Sequence, residues 1–195
     1  MITAGFTDPV LQSQATFRAV LAALSEPGTK QLVAGDVAPP EGLCAATATL
    51  LLTLADYETP IWLAPALREG PAGAWLRFHC GAPLVDAPGE AAFAVIDGAA
   101  AEPALSAFHP GTDQFPDRST TVVLQLANME GGSPLTLSGP GIPGTRIIAP
   151  SGLRDGFADE LHANGALYPL GIDVVLACGD AVIGLPRSTR IEETA

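Results

Sequence analysis

Basic residues are scarce in this sequence, and lysine occurs only once. The 195 residues include 9 lysine and arginine residues against 21 aspartate and glutamate residues, which gives a formal net charge of −12. An acidic surface repels nucleic acids and anionic membranes, so neither is an expected partner. A Schiff-base enzyme would have to use Lys30, which follows the Pro-Gly turn at the end of a predicted helix. We therefore expect no pyridoxal-phosphate cofactor, and we predict no other cofactor.

Cysteine and long apolar runs are also scarce. The cysteines Cys44, Cys80 and Cys178 lie far apart, and none belongs to a Cys-x-x-Cys pair. This spacing argues against an iron-sulfur cluster and predicts reduced thiols, and the three dispersed histidines predict no metal site. The longest apolar run, around residues 48–55, is too short to span a bilayer, and the amino terminus lacks the basic start of a signal peptide. We expect a cytoplasmic protein.

The strongest structural pattern lies near the carboxyl end. Two apolar runs, 172–178 and 181–185, flank Gly179-Asp180, a pair that suits a tight two-residue turn. We predict a β-hairpin in which Val175 faces Gly184 and which ends before Pro186. Because both strands are apolar on both faces, we expect helices to cover the hairpin above and below.

Elsewhere the patterns alternate between helices and short strands. Helices are predicted at 9–24, 43–55, 73–79 and 151–165, and strands at 29–33, 61–63, 84–85, 91–96, 121–126, 135–137 and 146–148. Recurring threonines leave a strand as the alternative for 43–55. Together the elements predict one α/β domain over residues 1–195, a three-layer α/β/α sandwich with a mixed sheet.

The first of these helices begins at an Asp8-Pro9 cap, and Ser151 is the predicted cap of the last. In the first helix, apolar residues recur at helical spacing and predict a single apolar stripe. They are Val10, Phe17, Val20, Leu21 and Leu24.

Residues 139–144, GPGIPG, satisfy the G-x-G-x-x-G pattern directly after a predicted strand. A dinucleotide site needs this turn to open a helix whose free amides meet the pyrophosphate. Pro140 and Pro143 remove two of those amides, and the residues that follow indicate a strand. We interpret the segment as a structural bend between two strands.

Arginines are the candidate ligand-binding residues. Arg146 follows the glycine bend, Arg187 and Arg190 follow the hairpin, and Arg77 lies in a predicted helix. Ligands often bind at strand ends in α/β sheets, so a convergent set of Arg77, Arg146 and Arg187 could hold a phosphate or a partner's carboxylates. The alternative is a set of scattered surface arginines. We predict no catalytic residue and no metal ligand.

In collinear order, six stretches of the chain resemble one family, the PhnH proteins, which are the H subunits of bacterial carbon-phosphorus lyase systems. The stretches are FRAVLAALSEPGT (17–29), LLTLADYETPIWL (51–63), LRFHCGAPLV (76–85), AAFAVID (91–97), LTLSGPGI (135–142) and YPLGIDVVLACGDAVIGLPRSTRIE (168–192). Each stretch is weakly specific alone, but their order and spacing make the resemblance specific.

The resemblance implies a cytoplasmic homodimer that works in a core complex with the PhnG, PhnI and PhnJ subunits. Such a complex attaches a phosphonate, for example methylphosphonate, to the ribose of a nucleoside triphosphate and displaces the base, and a separate iron-sulfur subunit then cleaves the carbon-phosphorus bond. The implied fold is similar to that of pyridoxal-phosphate-dependent transferases, without the cofactor lysine and without catalytic residues of its own. The alternative function is an autonomous enzyme or binder that holds a phosphorylated nucleotide-like ligand through Arg77, Arg146 and Arg187.

Overall fold

A six-stranded mixed sheet forms the centre of the computed structural model, which describes residues 2–33, 35, 37–101 and 103–193. The strands are β1 (Lys30–Leu32), β2 (Ile61–Leu63), β3 (Phe93–Asp97), β4 (Thr121–Gln125), β5 (Asn128–Ser138), β6 (Arg146–Ser151), β7 (Asp173–Cys178), β8 (Ala181–Leu185) and β9 (Arg190–Glu193). The helices are α1 (Pro9–Ser25), α2 (Ala45–Leu54), α3 (Pro65–Glu69), α4 (Pro71–Cys80) and α5 (Phe157–Gly165).

The strand order in the main sheet is β1-β8-β7-β4-β3-β2. Strands β2, β3, β4 and β7 are parallel, whereas β8 is antiparallel to both β7 and β1. The predicted hairpin is confirmed in its register, with Cys178 opposite Ala181 and Val175 opposite Gly184. The predicted mixed sheet is confirmed as well.

Helices cover one face of this sheet. Buried residues of α1, α2 and α4 pack against alternate residues of the parallel strands, including Val95, Val123 and Val175. Trp75 of α4 is fully buried in this layer. Of the two interpretations of residues 43–55, the helix is therefore confirmed. Glycine and proline, which would interrupt the helical turns, are absent from α2, and most of its residues are buried.

The other face is covered differently from the prediction. A three-stranded antiparallel sheet, β6-β5-β9, lies over it together with α5. The side chains of Leu135 and Leu137 from β5 and Phe157 and Leu161 from α5 pack in one cluster with those of the main sheet. The expectation that helices cover both faces is therefore correct only for α5 on this side, because β5 alternates buried and half-buried residues at its end and forms a second sheet over the same face.

Several element boundaries also differ from the predictions. Ser151 is the last residue of β6 and caps no helix, and α5 begins only at Phe157, after Gly156 with its positive φ of 75°. The intervening loop is held to the main sheet by the N–H of Arg154, which donates to the carbonyl of Gly98 at 2.8 Å. Residues 84–85 form no strand, and Leu84 makes only an isolated bridge to Ile61.

The residues of the predicted apolar stripe lie on two sides of α1. Val10, Phe17 and Leu21 are 77%, 51% and 55% exposed, whereas Thr16, Val20 and Ala23 form the buried side. The backbone of α1 at Ala23 lies directly against Gly184 of β8, and only small side chains fit between them. The helix is confirmed, but the single apolar stripe is not, because Val20 and Leu24 pack in the core whereas the other three stripe residues are exposed.

Every helix in the described ranges is too short or too polar to cross a lipid bilayer.

Candidate functional site

The carboxyl ends of the parallel strands are closed by loops. At the end of β4, the Gln125 side chain accepts a hydrogen bond from the N–H of Cys44 at 2.8 Å and donates one to the carbonyl of Gly42 at 2.7 Å. Beside it, the N–H of Gly98 donates to the carbonyl of Gln125 at 2.9 Å. This edge is the usual ligand crevice of an α/β sheet, and here main-chain segments fill it.

A cavity of about 610 Å³ opens on the second layer, between α5 and β9. We name it the α5–β9 cavity. Its walls are the last turns of α5, the segment 187–192, and the first two residues of the glycine bend, Gly139 and Pro140. Its volume is in the range of pockets that hold small organic ligands.

The glycine bend forms one wall of this cavity because the segment at Ser188 passes close to it. Gly139 has a φ of +126°, and a Cβ at this residue would lie 2.9 Å from the carbonyl oxygen of Ser188. The bend closes with a hydrogen bond from the N–H of Ile142 to the carbonyl of Gly139 at 3.1 Å, and the chain then enters β6. The interpretation of residues 139–144 as a bend between two strands is confirmed.

Arg187 is held inside the protein. Its Nη2 lies 2.6 Å from Oδ2 of Asp173, and its Nε and main-chain N–H both donate to Oδ1 of the same carboxylate. The guanidinium also donates to the carbonyl of Pro116 and to the hydroxyl of Ser119. Because Asp173 begins β7, Arg187 lies at the amino ends of the parallel strands, and its side chain shapes the cavity wall.

The other two arginines of the predicted set lie elsewhere. Arg146 donates hydrogen bonds to the carbonyls of Glu26 and Pro27, so it ties β6 to the turn after α1, and it lines a different cavity. Arg77 is exposed on α4, which packs on the opposite face of the main sheet. The structure brings Arg187 together with Arg190 at the α5–β9 cavity, and it brings neither Arg146 nor Arg77 to that place.

Thr189 is a cavity residue that sequence reasoning did not single out. It is only 4% exposed, and its Oγ1 is a buried side-chain atom without a hydrogen-bond partner in the described part of the chain. The sequence did contain the surrounding RSTR segment, but nothing local in it shows that the threonine is buried and the next arginine exposed.

An ion pair fixes the start of α5 and thereby one wall of the cavity. Glu160 accepts hydrogen bonds from Arg154 at 2.7 and 2.8 Å and from the N–H of Leu105 at 2.6 Å. Arg154 also donates to the carbonyl of Ala100 at 3.0 Å. Partial burial raises the pKa of the Glu160 carboxyl, but the hydrogen bonds and the charge of Arg154 outweigh this effect, and the pKa is lowered overall.

Replacing Glu160 with glutamine should destabilise the protein by about 2 kcal/mol at pH 7, because charge-assisted hydrogen bonds to Arg154 are lost. Since the pKa of Glu160 is lower in the folded state, its contribution is complete above the unfolded pKa of about 4.3 and is lost as the pH falls through the folded pKa. Urea unfolding of both proteins between pH 7 and pH 3 measures this difference, with exposed Glu58→Gln as the control. A difference that stays constant over this range would contradict the assignment.

Comparison with known proteins gives results along nearly the whole chain. Residues 4–192 match the family model described as bacterial phosphonate metabolism protein (PhnH). The chain is 43% identical over 187 residues to the alpha-D-ribose 1-methylphosphonate 5-triphosphate synthase subunit PhnH of Rhizobium meliloti (strain 1021), which covers 96% of this chain and 94% of the relative. It is 30% identical over 183 residues to the "Putative C-P lyase subunit protein HtxG" of Stutzerimonas stutzeri, which covers 92% and 86% of the two chains.

Proposed function

This chain belongs to the PhnH family of bacterial phosphonate metabolism proteins, and from that premise we propose that it supports the transfer of a phosphonate to the ribose of a nucleoside triphosphate with displacement of the base. The predicted resemblance is thereby confirmed, and the chain is a PhnH subunit of the carbon-phosphorus lyase pathway. The observation that carries the proposal is the 43% identity, along 96% of the chain, to a relative named as a subunit of such a synthase. The product in that name, alpha-D-ribose 1-methylphosphonate 5-triphosphate, contains the methylphosphonate group.

We assign the chain a supporting role without an active site of its own. Its two well-buried arginines, Arg154 and Arg187, are both paired with carboxylates inside the protein. Lys30 is exposed on the edge strand β1, away from the α5–β9 cavity. These positions favour a structural role for the charged side chains over a catalytic one.

The proposed partners are a second copy of the chain and the PhnG, PhnI and PhnJ subunits, in the cytoplasm, as the family resemblance implies. Residues 1–195 would act as one domain, with a fold similar to that of pyridoxal-phosphate-dependent transferases. Support for assembly with the other subunits comes from the outer row of α1, which we define as Val10, Phe17 and Leu21. Single exposed apolar residues are common in soluble proteins, but an apolar row along a helix is typical of an interaction surface. We propose that other subunits of the complex cover this row.

Replacing both Phe17 and Leu21 with serine should weaken association with the other subunits by about thirtyfold, since two central apolar contacts together contribute about 2 kcal/mol. The side chains are exposed in the free chain, so its unfolding midpoint should change little. The matched control is Phe78→Ser, which removes an exposed aromatic side chain from α4. Mass determination of the isolated variant shows separately whether the row pairs two copies of the chain. Unchanged association of the double variant would contradict the proposed surface.

Co-expression with PhnG, PhnI and PhnJ tests the function itself. We expect stable co-elution in size-exclusion chromatography with mass determination. We also expect base release from a nucleoside triphosphate in the presence of methylphosphonate to require the complete mixture. A mixture without this chain that releases base and forms the ribose phosphonate at the same rate would overturn the proposal.

A further inference from the structure

At the α5–β9 cavity, the buried hydroxyl of Thr189 lacks a hydrogen-bond partner within the described residues. Its Oγ1 has no partner among the described residues, although Thr189 lines the cavity. Buried polar groups in folded proteins nearly always have a partner, and an orphaned one destabilises the fold unless water or a ligand reaches it. Because Thr189 lines the cavity, an oxygen of a bound molecule that reaches Oγ1 would supply that partner.

The charge around this hydroxyl is positive on one side. The charge of Arg187 is already matched by Asp173, whereas Arg190 is exposed at the cavity and makes no ion pair within the described ranges. A guanidinium beside two hydroxyl groups, those of Ser188 and Thr189, is a suitable set of donors for the oxygens of a phosphoryl or phosphonyl group.

A side chain of opposite charge, Glu192, lies two residues after Arg190 in β9. Residues 190 and 192 of a strand share one face, so the carboxylate of Glu192 follows Arg190 along the cavity. A carboxylate only accepts hydrogen bonds, and it therefore suits the hydroxyl groups of a sugar and repels a second anionic group. The apolar side chains of Leu161 and Ile191 complete the walls.

We propose that the α5–β9 cavity binds a phosphorylated sugar, with the phosphoryl group at Thr189 and Arg190 and the sugar hydroxyls at Glu192. Of the convergent set predicted from the sequence, only Arg187 lines this cavity, and its charge is matched by Asp173. The choice of a ribose phosphate as ligand rests on the proposed function, but the two can fail separately, because binding is measured on the isolated chain and assembly is measured on the complex.

Calorimetric titration of the purified full chain with ribose 5-phosphate tests the inference, and inorganic phosphate and ribose serve as the two half-ligands. Ribose 5-phosphate should bind at least about tenfold more tightly than either half, the result expected when both ends of one molecule are held. Arg190→Gln should weaken this binding by about tenfold, and Glu192→Gln should weaken it without weakening the binding of inorganic phosphate. Arg77→Gln, which removes the same charge from α4, should have no effect.

Thr189→Val distinguishes a ligand-binding threonine from a structural one, because the two roles predict different effects on stability and on ligand affinity. Removing an unpartnered hydroxyl while keeping the side-chain shape should raise the unfolding midpoint of the free protein or leave it unchanged. The same change should weaken ribose 5-phosphate binding by about tenfold. The inference is overturned if ribose 5-phosphate shows no binding at millimolar concentration, or if Arg190→Gln and Arg77→Gln behave alike.

Discussion

Replacing Gly184 with valine should destabilise the protein strongly. A Cβ at this position would lie 2.6 Å from the carbonyl oxygen of Ala23 and 2.9 Å from the main-chain nitrogen of Leu24. Both contacts are with the backbone of α1, which cannot rotate away as a side chain can. Forcing larger groups into a packed core costs about 1–3 kcal/mol and more where the backbone must move, so we expect a loss of at least about 3 kcal/mol.

Gly89→Ala is the matched control for this substitution. A Cβ at Gly89 would meet its nearest neighbour, the carbonyl oxygen of Ala107, at an ordinary 3.7 Å. Urea unfolding should place this variant within about 0.5 kcal/mol of the natural chain, with Gly184→Ala between the control and Gly184→Val. A Gly184→Val protein as stable as the control would show that α1 does not lie against β8 as described.

The central elements could be predicted from the sequence because local rules determine them. The Gly179-Asp180 turn sets the register of the hairpin, and Pro186 follows its last pair. The orientation of α1 could not be predicted in this way, since its most apolar residues form the outer row. The only available signal was Gly184 itself, because a glycine inside a buried strand indicates close approach of another backbone.

The cavity depends on contacts between residues far apart in the sequence. Pairing of β5 with β9 places Ser138 opposite Arg190, and only this pairing brings the glycine bend next to Ser188. Neither segment carries a local signal for the other, so the sequence could identify both but could not bring them together. The strand composition of β5 and β6 likewise predicts strands without showing that they form a separate sheet.

The role of Arg187, by contrast, follows from a register that the sequence does predict. Val174 is opposite Leu185, so the same register places Asp173 beside Pro186, and Arg187 follows one residue later, within reach of the Asp173 carboxylate. The arginines were interpreted only as a candidate ligand set, so the pairing of Arg187 with Asp173 was not predicted. The hairpin therefore ends in an ion pair that fixes the segment 187–190, which forms one wall of the cavity.

Asp173→Ala should consequently destabilise the protein by about 3 kcal/mol, the usual effect of leaving a largely buried charge unpaired. The Arg187 side chain is only 13% exposed, and the variant also removes the acceptor for its main-chain N–H. The control is Asp86→Ala, which breaks an ion pair of Arg68 in which the Asp86 side chain is 92% exposed and which should contribute less than about 1 kcal/mol. Urea unfolding measures both variants, and equal losses would contradict a buried pair.

A second substitution separates the cost of the unpaired charge from the loss of the pair itself. Adding Arg187→Met to Asp173→Ala removes the isolated guanidinium and keeps most of the apolar side-chain volume, so the double variant should recover about half of the lost stability. If the double variant is instead less stable than Asp173→Ala, then Arg187 stabilises the protein mainly through the carbonyl of Pro116 and the hydroxyl of Ser119. In either case the segment that carries Thr189 and Arg190 loses its anchor, and we expect ribose 5-phosphate affinity to fall in the double variant even where stability returns.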